Sequence, residues 1–433
     1  MKKLLILILA IFFMSYAGYS RPQYSILQAF GMKCQNCHFN VQGGGVRTNS
    51  GWASRNDLAL YNPGFLGILK NTNTFLKEMV TFGVDFRYQN AKWPGPPVLN
   101  ADKTQKEFLT TRKSMIMQLS PYLVVQPFKW LFAEGFYNLA YEIEKNHYPG
   151  QQPGAWSVNF RPSDDLPYLR VGCFQPTLGT KFDDHTVMIY RVINKGSQYA
   201  IPTKPDDYAE WGAQLDYEKY SWFGASLGLF QSKGLGIKEY SIKDYLGNYT
   251  FNPALKTPPR LLVNTDRPSI VGRLAFYPNL GSIMGHTINT MFGGMIYYNG
   301  PMGSNTDLNE AYYYFGDLFF HIGLTDRLAL MTEYTQTRKQ FARVTNNFLV
   351  ELNYQVLEPW NVFVRCERAT TKTNDWDKDQ NYIHPFAAAN QFVIGSHIFP
   401  LPYIDLLPEY RIYRSEEFPG TQQSFAVQLH VFY

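Results

Sequence analysis

Cys34, Gln35, Asn36, Cys37 and His38 form the spacing C-x-x-C-H. Two thiols three residues apart can each bond one vinyl group of a porphyrin, and the adjacent imidazole then sits beneath the iron as an axial ligand, the chemistry of c-type haem attachment. These residues predict one haem c held covalently through Cys34 and Cys37, with His38 on the metal. Two other readings fail on context. A redox C-x-x-C needs a βαβ surrounding that the flanking sequence does not supply, and a zinc site needs a second ligand pair at fixed spacing. Gly43, Gly44, Gly45 and Arg47 come directly after the motif. Glycines let the backbone approach a flat porphyrin face, and a guanidinium suits a haem propionate. A plain linker with a solvated Arg47 is the competing reading.

The haem segment, Arg21 to Lys70, is too short to enclose a porphyrin with a core of its own, so the cofactor must lean on residues 71–433. The first twenty residues fix the compartment. Lys2 and Lys3, the apolar run Leu4 to Met14, and the small residues Ala17, Gly18 and Ser20 read as a secretory leader over residues 1–20, cleaved near Ser20. No Cys lies near that point, which argues against a lipid anchor. Forty Lys and Arg, two of them in the leader, stand against 35 Asp and Glu, a balance too mild to imply nucleic acid.

Residues 71–433 must then form the scaffold. Hydrophobic residues make up 45% of the chain, charged ones 17% and aromatic ones 16%, which excludes a disordered chain. No apolar run of about 20 residues comes after the leader, which excludes a helical membrane protein. Strand alternation is clearest at the end, where Phe425, Val427, Leu429, Val431 and Tyr433 alternate with Ser424, Ala426, Gln428, His430 and Phe432. Similar segments recur near 75–89, 107–124, 129–141, 166–175, 208–218, 221–232, 266–277, 284–298, 312–323, 328–339, 347–357, 361–371, 389–398 and 403–414. Short turns at Gln126–Pro127, Lys219–Tyr220, Thr325–Asp326, Glu358–Pro359 and Pro400–Pro402 alternate with long polar loops at Asn90–Lys106, Glu142–Asp165, Ser232–Thr265, Asn299–Glu310 and Lys372–Ala387. That is the pattern of an outer-membrane barrel. These fifteen strands need a sixteenth if both ends face the periplasm; Thr186–Asn194 is the segment predicted for it, which puts the turn Pro176–His185 on the periplasmic side.

The faces agree with a transmembrane barrel of about 16 antiparallel strands. Ile404, Leu406, Tyr410 and Ile412 share one face, while Tyr403, Asp405, Glu409 and Arg411 share the other. Arg365 and Glu367 oppose Val362, Val364 and Cys366. A soluble barrel would hold its apolar side chains inside. Cys366 and Cys173 therefore read as outward-facing strand residues, not as a disulfide. A β-sandwich is disfavoured by so many strands in one uninterrupted chain.

A leader, a lone C-x-x-C-H at Cys34–His38 and a porin-like remainder ending in an aromatic strand together resemble the fused monohaem cytochrome-porins, which include the outer-membrane iron-oxidising cytochromes. The segment from Arg170, Val171 and Gly172 to Asp183, Asp184 and His185 is also similar to a porin strand-and-turn signature. The resemblance implies a haem segment in or at the periplasmic mouth, relaying electrons between an extracellular redox partner, Fe(II) among the candidates, and a periplasmic c-type cytochrome or other carrier. It also implies contact with outer-membrane lipid and is compatible with a homo-oligomer. Any enzymatic character would be that of an iron-oxidase-like oxidoreductase.

The sixth position on the iron is open in the sequence. No second His lies between Arg21 and Lys70, which leaves His185, His321, His397 and His430 on the barrel as candidates, or a five-coordinate iron. Two further functions compete with electron transfer. A passive diffusion porin would use the haem segment as a plug or gate. A peroxidase-like enzyme would need a distal acid-base pair, which the haem segment does not supply.

Overall fold

The computed structural model describes residues 59–63, 74–99, 106–140, 154–180, 209–231, 268–299, 313–339, 343–373, 388–415 and 420–433 with single-residue or two-residue interruptions, together with Val187, 191–193 and 200–202. The sequence-predicted haem residues Cys34, Cys37, His38 and Arg47, and His185, lie outside the described residues.

Sixteen antiparallel strands close into a barrel. In chain order they are β1 (Val80–Leu99), β2 (Lys106–Phe128), β3 (Leu131–Tyr137), β4 (Gly154–Phe160), β5 (Tyr168–Phe174), β6 (Glu210–Tyr217), β7 (Phe223–Phe230), β8 (Ser269–Phe276), β9 (His286–Asn299), β10 (Tyr313–Gly323), β11 (Leu328–Lys339), β12 (Arg343–Leu357), β13 (Trp360–Thr373), β14 (Ala388–Ile398), β15 (Ile404–Ser415) and β16 (Thr421–Phe432). Each pairs with its neighbours in sequence, and β1 pairs with β16 from Asp85↔Phe432 to Lys92↔Phe425, which removes every open edge. Strands of 11 to 15 residues, as in β9 to β16, rise about 3.4 Å per residue and, tilted by about 40°, span about 30 Å.

Closure is locked at the carboxyl terminus. Tyr433 and Val84 exchange main-chain hydrogen bonds at 2.8 and 2.7 Å. The Tyr122 hydroxyl donates to the Tyr433 main-chain oxygen at 2.6 Å. Gly83 makes room for this, because a Cβ there would overlap both the Tyr122 hydroxyl and that oxygen.

The two rims differ as the sequence implies. Short turns such as 129–130, 218–222, 324–327, 358–359 and 399–403 lie at the rim that also holds the terminus, and the longer connections lie at the other. Three expectations are corrected. The sixteenth strand is β4, inside the stretch 142–165 expected as a loop; residues 191–193 instead pair with 200–202 in a separate two-stranded ribbon. With β4 in place, β5 runs toward the long-loop rim, so the segment beginning at Pro176 leaves from that rim and not from the short-turn rim. The connection 90–106 is also shorter than expected, since β1 and β2 remain paired out to Leu99↔Lys106.

Burial runs inside out. Leu227, Leu229, Leu318, Phe348, Val364, Ile394 and Phe425 are exposed on the outer wall, whereas Arg273, Asp317, Glu333, Arg365, Glu367 and Arg411 are buried on the inner one. Aromatic side chains gather at the short-turn rim, where Phe128 stacks on Trp130 at 4.9 Å, Trp130 meets Phe160 edge-on at 5.6 Å and Tyr220 stacks on Trp222 at 5.7 Å. Both described cysteines are free and on the outer face as expected. Cys366 is exposed, whereas Cys173 is covered by its cross-strand neighbours Trp156 and Trp211, whose rings meet 4.4 Å apart.

Candidate functional site: the charged inner wall

The period of two along each strand turns one polar residue in two toward the lumen, and the register aligns these residues across β12 to β16. Arg365 is the hub. Its Nε donates to Glu367 Oε1 at 2.7 Å, its Nη1 lies 3.4 Å from Glu351 Oε2 and its Nη2 lies 3.8 Å from Glu409 Oε1. Glu409 is shared, since it also accepts from Arg411. Gln391 donates to Glu367 at 3.3 Å, extending the network to β14. Buried charges are tolerated when each meets an opposite charge or a hydrogen-bond partner. On the opposite wall Arg170 does the same for Glu134, at 2.7 Å, with Ser157 donating to that carboxylate at 3.0 Å.

A segment of chain folds against this wall from the long-loop rim. After β5, Thr177 and Gln214 exchange hydrogen bonds of 3.1 and 2.6 Å, main chain to side chain and side chain to side chain. Leu178 enters an apolar cluster with Phe174, Phe230, Val271, Met295 and Phe315. Thr180 Oγ1 reaches His321 Nε2 at 3.2 Å, deep toward the short-turn rim. Gly179 between them adopts φ +54°, and a Cβ there would overlap the Asp317 carboxylate. The lumen is narrowed along β6 to β11 as a result. The described inner wall is largely closed to solvent, with Leu349, Asn361, Val393, Ala369 and His321 all at 0% exposure.

The three described histidines predicted as iron ligands all face inward near the short-turn rim, but their settings differ. His321 is sealed by Thr180. His430 directs Nε2 at Asp85 Oδ1, 2.9 Å away, where Arg87 also contacts that carboxylate oxygen at 3.5 Å. His397 directs Nδ1 at Asp405 Oδ2, 2.8 Å away, and keeps 16% of its side chain exposed. An imidazole backed by a carboxylate is the donor that haem iron accepts, so this part of the wall fits the cofactor that the Cys34–His38 motif implies. Beside it, Leu60 N donates to Phe399 O at 2.8 Å and Tyr61 N to Pro400 O at 3.1 Å, which fastens these two residues to the turn next to His397. Among the described residues no group of three or more His, Cys, Asp or Glu side chains is arranged to hold a metal ion on its own.

Arg365, Glu367, Asp405, Glu409 and Arg411 are legible from alternation alone. Glu351, between Val350 and Leu352, carries the same signal. The inward course of 175–180 carries none, because Pro176, Thr177 and Gly179 read equally well as a surface turn.

No family model and no curated protein sequence matches the chain. Among solved structures, the outer membrane channel DcaP of Acinetobacter baumannii is 8% identical with a TM-score of 0.49 over 82% of this chain and 97% of its own. OprB of Pseudomonas putida is 11% identical with a TM-score of 0.48 over 83% and 95%. OmpF of Salmonella typhi, in a complex with daunomycin, is 9% identical with a TM-score of 0.45 over 82% and 97%.

Proposed function

We propose that this chain is an outer-membrane channel protein whose passage is controlled by its own haem-bearing N-terminal segment acting as a plug or gate. The observation that carries this is the inside-out burial: an apolar outer wall with an aromatic band encloses a buried lining of Arg, Asp and Glu. In water such a surface would aggregate, whereas in a bilayer it is matched to the hydrocarbon. The predicted leader at residues 1–20 supplies the export that this location needs. The test is planar-bilayer recording of the purified full-length protein beside a variant lacking the haem segment. A channel with a plug gives small or intermittent conductance in the full chain and large, steady conductance in the variant. Equal conductance in both would overturn the plug.

One observation favours a second reading, a conduit for electrons. The inner wall is closed to solvent over much of β10 to β14, which suits insulation better than diffusion. A haem bound through Cys34 and Cys37 would supply one-electron redox chemistry, passing electrons between an extracellular partner such as Fe(II) and a periplasmic carrier. The barrel residues would then exclude water and hold the segment at the short-turn mouth through Phe399 and Pro400. Liposomes carrying the protein in a verified orientation decide between the readings. A reduced redox protein, too large to pass a channel, added outside reduces an enclosed protein acceptor if the conduit operates and leaves it oxidised if the protein is only a channel.

A further inference from the structure

We infer that His397 is the barrel's axial ligand for haem iron, with Asp405 as its positioning residue. The inference rests on the reading of Cys34–His38 as a haem c site, and selects among the barrel histidines by which ring nitrogen each presents. Nε2 is the ring nitrogen better placed for an iron, because Nδ1 is crowded by the side chain's own Cβ. His321 has Nε2 occupied by Thr180 and is fully buried. His430 has Nε2 turned to Asp85, and its ring is flanked by Phe432 at 5.1 Å. His397 alone among these three has the reverse arrangement, with Nδ1 against a carboxylate.

A carboxylate can only accept, so this contact puts the proton of neutral His397 on Nδ1 and leaves the lone pair on Nε2. Asp405 is itself buried, with Oδ2 on the imidazole and Oδ1 without a hydrogen-bond partner among the described residues, so the ring is the contact that holds this carboxylate. The Phe363 ring, 5.7 Å from the imidazole, limits the ring's rotation from the side. Position agrees with chemistry. His397 lies two residues before Phe399, whose carbonyl receives Leu60 N, so Leu60 and Tyr61, in the stretch 21–70 read as the haem segment, are fastened to the turn beside this imidazole. A carboxylate behind a ligating imidazole raises its basicity and fixes its orientation.

The test uses the purified full-length holo-protein. Covalent haem is measured first by the pyridine haemochrome assay, and the spin state of the ferric iron by absorption and electron paramagnetic resonance. The expectation is a low-spin wild type, high-spin His397→Ala and His397→Gln proteins with unchanged haem content, and recovery of the low-spin signal when imidazole is added. His321→Ala and His430→Ala stay low-spin. Asp405→Asn stays low-spin but raises the midpoint potential, because a less basic imidazole stabilises the ferric state less; a merely structural role would not move that potential. Covalent haem with a high-spin wild type, or a low-spin signal surviving in both His397 variants, overturns the ligand assignment alone. Wild-type protein without covalent haem overturns the haem reading and this inference together.

Discussion

Replacing Arg365 with Met should cost the barrel about 3–5 kcal/mol, the range for removing one partner from a buried ion pair. The guanidinium is 3% exposed and lies 3.4, 2.7 and 3.8 Å from Glu351, Glu367 and Glu409, whose side chains are 9%, 1% and 2% exposed. Met fills much of the same volume without charge. The penalty therefore comes from buried carboxylates that lose this guanidinium and not from a cavity. Glu409 keeps Arg411 and Glu367 keeps Gln391, so the loss falls most heavily on Glu351. With a urea slope of about 2–3 kcal/mol per molar, the unfolding midpoint should fall by about 1–2 M. Folded and unfolded barrel can be followed by heat-modifiable migration and intrinsic fluorescence in detergent. Adding Glu351→Gln and Glu367→Gln to the Arg365→Met protein should recover most of the loss, because a neutral amide needs no opposite charge. A midpoint unchanged by Arg365→Met, or a triple variant no better than the single one, would refute the assignment of Arg365 as the hub of a buried network.

Local geometry sets three further outcomes. Gly83→Ala places a Cβ where the Tyr122 hydroxyl meets the last main-chain oxygen, so it should break that hydrogen bond, cost about 1–3 kcal/mol and slow assembly in a folding time course. Gly179→Ala adds steric strain at φ +54° and overlap with Asp317, and should loosen the inward segment, raising single-channel conductance above that of the unmodified protein. A lipid-soluble maleimide should label Cys366 rapidly and Cys173 slowly, as read by peptide mapping, and Trp156→Ala should accelerate labelling at Cys173 only.

Fold and lining are legible through one signal, the alternation of polar and apolar residues, and its limits are set by that signal's physics. Period two tells which residues share a face, as for Asp405, Glu409 and Arg411, and the preponderance of charge tells which face is the lumen. It does not tell where a strand sits in the ring. Gly154–Phe160 carries only seven residues, with Gly, Ser and Asn at its inward or intermediate positions, and so reads as loop. Thr186 to Asn194 looks like the missing strand because it is apolar, though its paired part lies in a two-stranded ribbon separate from the barrel sheet. Placing that segment in the ring reverses the polarity of β5 and sends Pro176 to the wrong rim. Ring closure corrects this, because only β4 provides partners for both Phe132 and Arg170 across Asn159.

The motif at Cys34–His38 is readable in isolation, whereas its partner on the barrel is not. A covalent attachment site needs a fixed local spacing, so five consecutive residues state it. A ligand on the wall needs only one imidazole in one orientation, and orientation is set by neighbours far apart in sequence. His321, His397 and His430 are equivalent as letters, each in an inward phase near a short turn. They are separated by Thr180, Asp405 and Asp85, which arrive from an inward segment, the next strand and the opposite end of the chain. Nitrogen by nitrogen, those three contacts leave Nε2 directed away from them in one case, and that case adjoins the turn to which Leu60 and Tyr61 are fastened.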